Sequence, residues 1–91
     1  MPDKYRKGVD YMFLHIGQDV TVLAKEIVAI IDLSARSNSE ILEEFIRIAA
    51  DEGFVNRLTA SPSSIVVTND QVYLSPISSR TLGKRMSGFG D

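Results

Sequence analysis

An α+β domain is the fold class this chain predicts, and three observations carry the prediction. Short apolar runs rich in β-branched residues recur between turn-forming residues. One stretch, from Ser37 to Gly53, has helical spacing with a start and a stop signal. A second, shorter helical stretch follows Pro76. The expected architecture is a small curled, mostly antiparallel sheet of five or six short strands, one main helix and a short C-terminal helix, assembling as an oligomer.

Each element has a local reason. Met12-Phe-Leu-His-Ile16 is apolar and stops at Gly17, and Val20-Thr-Val-Leu23 is β-branched, so the two predict a hairpin closed by Gly17, Gln18 and Asp19. Ile27-Val-Ala-Ile-Ile31 is apolar at every position, which predicts a strand covered on both faces because successive side chains alternate. Ser37 and Glu40 fit a capping box. Ile41, Leu42, Phe45, Ile48 and Ala49 then form one apolar stripe, and Gly53 supplies the left-handed residue that ends a helix. Phe54 to Leu58 predicts a further strand, and Thr59-Ala-Ser-Pro-Ser-Ser64 a polar loop. Ile65 to Thr68 and Gln71 to Ser75 flank Asn69-Asp70, a two-residue hairpin signal. Ser78 or Ser79 caps the last helix through Arg80, Leu82, Arg85 and Met86. Residues 1–11 read as a flexible extension, 12–86 as the folded domain and 87–91 as a flexible tail with two glycines.

One amphipathic helix covers only one sheet face, whereas the Ile27–Ile31 strand asks for cover on both. Either the sheet curls on itself or a neighbouring copy supplies the second layer; a core of ~70 residues is short of material for extra layers, so the second copy is the preferred expectation.

Composition narrows the function classes. The chain has 91 residues, of which 44% are hydrophobic and 24% charged, an ordinary globular balance. With no Cys there is no disulfide frame, thiolate zinc site or thiol nucleophile. No apolar run approaches the ~18 residues of a transmembrane span, and Asp10 and His15 interrupt any signal-like segment, so a cytoplasmic location without membrane contact is expected. The formal charge of −2 is unevenly distributed: +1 over residues 1–11, −5 over 12–79 and +2 over 80–91. An acidic body with mildly basic ends argues against coating nucleic acid by bulk charge.

The candidate chemistry is sparse. His15 is the only histidine, with neither zinc-ligand partners nor a triad spaced around it, so a structural or surface role is expected. Glu43-Glu44 and Asp51-Glu52 are adjacent pairs that diverge by ~100° on a helix, which suits a solvated face better than a pair of catalytic carboxylates. Asp19, Asp32 and Asp70 sit in turn contexts without the spacing of a calcium loop. Isolated Gly17 and Gly53 make no phosphate cradle. Neither an enzyme, a cofactor, a metal nor a small-molecule substrate is indicated. The remaining candidates are cations: Arg80, Lys84 and Arg85 on one helix, with Lys25 and Arg57 isolated on or beside strands. Repeated around an oligomer, such a weak patch gains strength through effective concentration.

The segments Met12-Phe-Leu-His-Ile-Gly-Gln-Asp19, Ile27-Val-Ala-Ile-Ile-Asp32, Glu52-Gly-Phe54 and Asp70-Gln-Val-Tyr-Leu-Ser-Pro-Ile-Ser-Ser79, with Leu82 after them, resemble the RemA/RemB family of bacterial extracellular-matrix regulators, the RemB branch in particular. The resemblance spans residues 12–86. It implies a cytoplasmic regulator of biofilm-matrix gene expression, and the RemA branch implies ring oligomers that bind promoter DNA. RemA-type proteins carry arginines in the loop before the final hairpin and at the start of the long apolar strand. Here that loop is Thr59 to Ser64, with no basic residue, and the position before the strand is Glu26. Those arginines therefore have no counterpart, and DNA contact falls to Lys25, Arg57, Arg80, Lys84 and Arg85. Two readings follow: a DNA-associated oligomeric transcriptional regulator, or a homo-oligomeric interaction module acting through a partner protein, such as a paralogous regulator, without touching DNA.

Overall fold

In a computed structural model of the protein, residues 12–33 and 40–87 are described. The Ser37 cap, the extension 1–11 and residues 88–91 of the expected tail lie outside them. Six strands and two α-helices follow in the order β1 (Phe13–Gly17), β2 (Val20–Leu23), a 3-10 turn (Ala24–Glu26), β3 (Ile27–Asp32), α1 (Glu40–Asp51), β4 (Val55–Arg57), β5 (Ser64–Thr68), β6 (Val72–Ser75) and α2 (Ser79–Ser87). Ser87, expected in the tail, closes α2 instead.

The class is α+β, but the strands do not form one curled sheet. β1 and β2 make a separate two-stranded hairpin, while the other four form a sheet in the order β3-β5-β6-β4. β3, β5 and β6 pair antiparallel, whereas β4 runs parallel to β6. That direction follows from the connection. α1 carries the chain from β3, at one edge, across to β4 at the other, and a helical crossover of this kind returns a strand in the same direction.

Register assigns the faces. Ile30, Val66 and Tyr73 lie abreast, as do Ile31, Ile65 and Leu74 one residue along. Alternation therefore sends the two sets to opposite faces. Val66 joins Leu14, Ile16, Val22, Leu58 and Leu82 in a core between the sheet, the β1–β2 hairpin and α2. Ile65, Val72 and Leu74 join Ala49, with Leu42 and Ile46 of α1 packed against them, on the other face. The hairpin and α2 thus provide, within one chain, the second layer expected from a neighbouring copy.

The strand with fullest cover is also not the one predicted. β5 lies inside the sheet and has Ile65 and Val66 fully buried. β3 is an edge strand of half-buried residues, and Val28, at a register shift between Ile27 and Ala29, is 67% exposed. An edge position leaves one flank without a neighbour, so an all-apolar run does not secure burial.

The local signals match their elements. Gly53, at φ 85°, ends α1: its N–H donates to the Ala50 carbonyl and the Phe54 N–H to that of Ala49, the paired bonds of a Schellman cap. Ser78 Oγ accepts the Thr81 N–H at 3.1 Å and caps α2. The Asn69-Asp70 hairpin forms with neither residue at positive φ; the Thr68 N–H and hydroxyl both donate to the Gln71 carbonyl and close it.

Candidate nucleic-acid interface

The five candidate cations fall on three parts of the molecule. Arg80, Lys84 and Arg85 are exposed on α2. This helix holds no acidic residue, and Lys84 and Arg85 lie in its last turn, where the macrodipole favours positive charge. Leu82, fully buried, anchors α2 to the hairpin-side core, and Met86 packs beside it. Arg80 and Lys84, four residues apart, share one outward face. Arg85 leans toward β1, where Nη1 donates to the His15 carbonyl at 3.1 Å.

Lys25 is exposed in the 3-10 turn between β2 and β3. The Ala24 N–H donates to the Met12 carbonyl, so this turn sits at the Phe13 end of the hairpin. Arg57 is exposed on β4 opposite Leu74, whose side chain belongs to the α1-side core. The pleat therefore places Arg57 on the sheet face away from α2. The α2 cations form one group, Lys25 lies at the end of the adjoining hairpin, and Arg57 does not join them.

The ground beneath α2 is built from residues the sequence pattern did not single out. Ser64 and Ser75 pair across β5 and β6 and are fully buried. Ser75 Oγ donates to the Ile16 carbonyl at 2.6 Å and accepts the Ile77 N–H at 3.0 Å, while Ser64 Oγ donates to the Ile77 carbonyl at 2.7 Å. These bonds join the first hairpin to the sheet and hold the chain that leads into α2. No local sequence signal marks either serine, since the partners lie on distant segments.

The other candidates occupy structural or solvated places. His15 is exposed, with Nε2 2.7 Å from the Gln18 carbonyl across the turn. Glu40, Glu43 and Glu44 lie on the solvent side of α1 around Arg47, which is ion-paired with Glu44. Among the described residues no group of three His, Asp or Glu is placed to hold a metal ion, and no helix is long and apolar enough to cross a membrane. On the α1 side, Phe45, Ala49, Phe54, Val67 and Val72 line an open apolar groove of about 370 Å³.

Comparison with known proteins follows this geometry closely. Residues 13–86, from the start of β1 through all but the last residue of α2, match the model of the RemA-like family, described as extracellular matrix regulatory protein A-like. A curated relative, extracellular matrix regulatory protein B of Bacillus subtilis (strain 168), is 42% identical over 74 residues, covering 81% of this chain and 89% of the relative. The buried pattern, the hairpin turns and the Ser75-Pro76 junction all lie inside the matched span. The chain belongs to the RemA-like family of extracellular matrix regulatory proteins, on the side of its protein B branch.

Proposed function

We propose that the protein is a non-catalytic, cytoplasmic regulator of extracellular-matrix genes that works as a homo-oligomer and contacts promoter DNA through α2. One observation carries the DNA part: an exposed helix with three cations and no acid, seated on a rigid core by Leu82. The family and its curated relative, named as an extracellular matrix regulatory protein, support the regulatory part. Arg80 and Lys84 form the centre of the surface and Arg85 its hairpin-side margin. Lys25 is a peripheral contact, and Arg57 serves only where a neighbouring copy brings it round to the same duplex.

On an acidic body, such a patch binds by phosphate neutralisation, and affinity must fall steeply with salt. The test is fluorescence anisotropy of the full chain on AT-rich promoter fragments across a salt series. Binding is expected at ~50 mM salt, and Arg80→Ala with Lys84→Ala is expected to flatten the log–log slope by about 2 for each engaged copy. No binding at ~50 mM salt removes the DNA reading, because phosphate contacts are strongest there. The second reading, regulation through a protein partner, is favoured by the apolar surface that α1 leaves uncovered.

A further inference from the structure

Ser87 shares the outward face of α2 with the two cations at its centre. Steps of 100° per residue place Arg80, Lys84 and Ser87 within an arc of about 60°. All three are exposed. Ser87 is the last residue of the helix, and its hydroxyl donates to the Gly83 carbonyl at 3.0 Å, a bond open to solvent. The final turn of a helix unwinds at small cost, so this hydroxyl can be drawn out into another protein's active site. Lys84 and Arg85 stand three and two residues ahead of it, and α2 has no acidic residue to offset them.

Other hydroxyls are placed differently. Ser64 and Ser75 are buried beneath α2, and Ser78 is engaged in capping its first turn. Ser61, exposed in the loop after β4, has Leu58 and Thr59 where Ser87 has cations.

We propose that Ser87 is a phosphorylation site for a serine/threonine kinase that reads basic residues two and three positions ahead of its target, and that the phosphoryl group closes the α2 face to DNA. Such a kinase holds the two cations with its own carboxylates, so charge sets the choice of substrate. The γ-phosphoryl group of a nucleoside triphosphate passes to Ser87 Oγ. A bond forms between Oγ and phosphorus, and the bond from phosphorus to the oxygen shared with the β-phosphate breaks. The hydroxyl proton goes to the kinase's general base, and the nucleoside diphosphate leaves. A phosphoserine carries about −1.5 to −2 at neutral pH, which leaves the three cations of α2 with about one net positive charge. Lys84 neighbours Ser87 on the helix surface and pairs with the phosphate. The new charge also stands at the end of the Arg80–Lys84 face, where it repels the phosphates of a duplex. The consequence for DNA rests on the reading proposed above; the site does not.

The test starts with the full chain, magnesium ATP and a serine/threonine kinase of this basic-residue specificity, read by intact mass and fragmentation. One phosphoryl group on Ser87 is expected, with none on Ser87→Ala. Arg85→Ala is expected to slow labelling by about tenfold, the effect of removing one close charge pair. Labelling of another residue in place of Ser87, or Arg85→Ala labelled at the wild-type rate, overturns the site. Fluorescence anisotropy then compares unmodified and phosphorylated chains on DNA. Phosphorylation is expected to weaken binding by about tenfold or more at ~50 mM salt, whereas Ser87→Ala binds like the unmodified chain. With Arg80→Ala and Lys84→Ala already in place, phosphoserine incorporated directly at Ser87 is expected to change binding little, because the cations it masks are gone. Equal binding by both forms of the wild-type chain overturns the switch. So does a loss of circular dichroism signal on phosphorylation, which assigns the weaker binding to unfolding. Absence of binding by the unmodified chain overturns the DNA reading and the switch together, while labelling at Ser87 still decides the site.

Discussion

Ser75 does more for this fold than its size suggests. Its hydroxyl donates to Ile16 in the first hairpin and accepts from Ile77 ahead of α2, with no exposure to solvent. Ser75→Ala leaves the buried Ile16 carbonyl and the part-buried Ile77 N–H without that partner, and is expected to cost about 1–3 kcal/mol in urea denaturation. Gly17 is constrained by shape. At φ 138°, a Cβ there would sit 2.7 Å from Pro76 Cδ, so Gly17→Ala combines backbone strain with a clash against a stiff ring. The expected loss is more than about 1 kcal/mol, read as a lowered urea midpoint at unchanged slope. The two sites differ in legibility. Gly17 stood out as a turn residue, but neither its contact with Pro76 nor the Ser75 bond to Ile16 has a local signature. The second spans 59 residues of sequence, and nothing near Ser75 distinguishes a buried serine from an ordinary strand-end serine.

Among the elements, α2 separates stability from function most cleanly. Leu82 is buried and anchors the helix, so Leu82→Ala is expected to cost about 2–5 kcal/mol. Arg80 and Lys84 are exposed on its outer side, and their double alanine variant is expected to change stability by no more than about 0.5 kcal/mol. The same variant weakens DNA binding, so comparing denaturation curves with anisotropy tells a surface contact from a loss of folding. The Gly53 stop of α1, the Ser78 cap of α2 and both hairpin turns were legible because their signals lie within a few residues. The allocation of α1's apolar arc was not. Ile41, Leu42, Phe45, Ile48 and Ala49 read as one stripe, yet the helix seats on the sheet through Leu42, Ile46 and Ala49. An apolar arc wider than the contact it makes looks the same in sequence as one that is fully buried.

For the molecule as a whole, stability is expected to be highest in the middle of the four-stranded sheet. β5 and β6 are each paired on both sides, whereas β3 and β4 are edges. Amide hydrogen exchange is therefore expected to be slowest in Ile65 to Thr68 and Val72 to Ser75, and faster along the outer flank of β3; equal protection of β3 would place a partner along that flank. The acidic body also reads differently at this scale. Glu40, Glu43, Glu44 and Asp51 lie on α1 on one face of the sheet and the α2 cations on the other, so a net charge of −2 conceals two helices of opposite character.

The sequence by itself determined the α+β class, five or six short strands and two helices with their hairpin turns, the Gly53 stop, the cation-bearing final helix and the family. Those are decided by periodicity, β-branching and capping within a dozen residues. Only the tertiary structure decided which strand is central, that β4 runs parallel, that the hairpin and α2 close the second face, and that Arg57 lies away from the other cations. These depend on which distant segments pair. Pairing is set by the crossover of α1 and by the hydrogen bonds of buried serines, contacts whose partners are far apart in the chain.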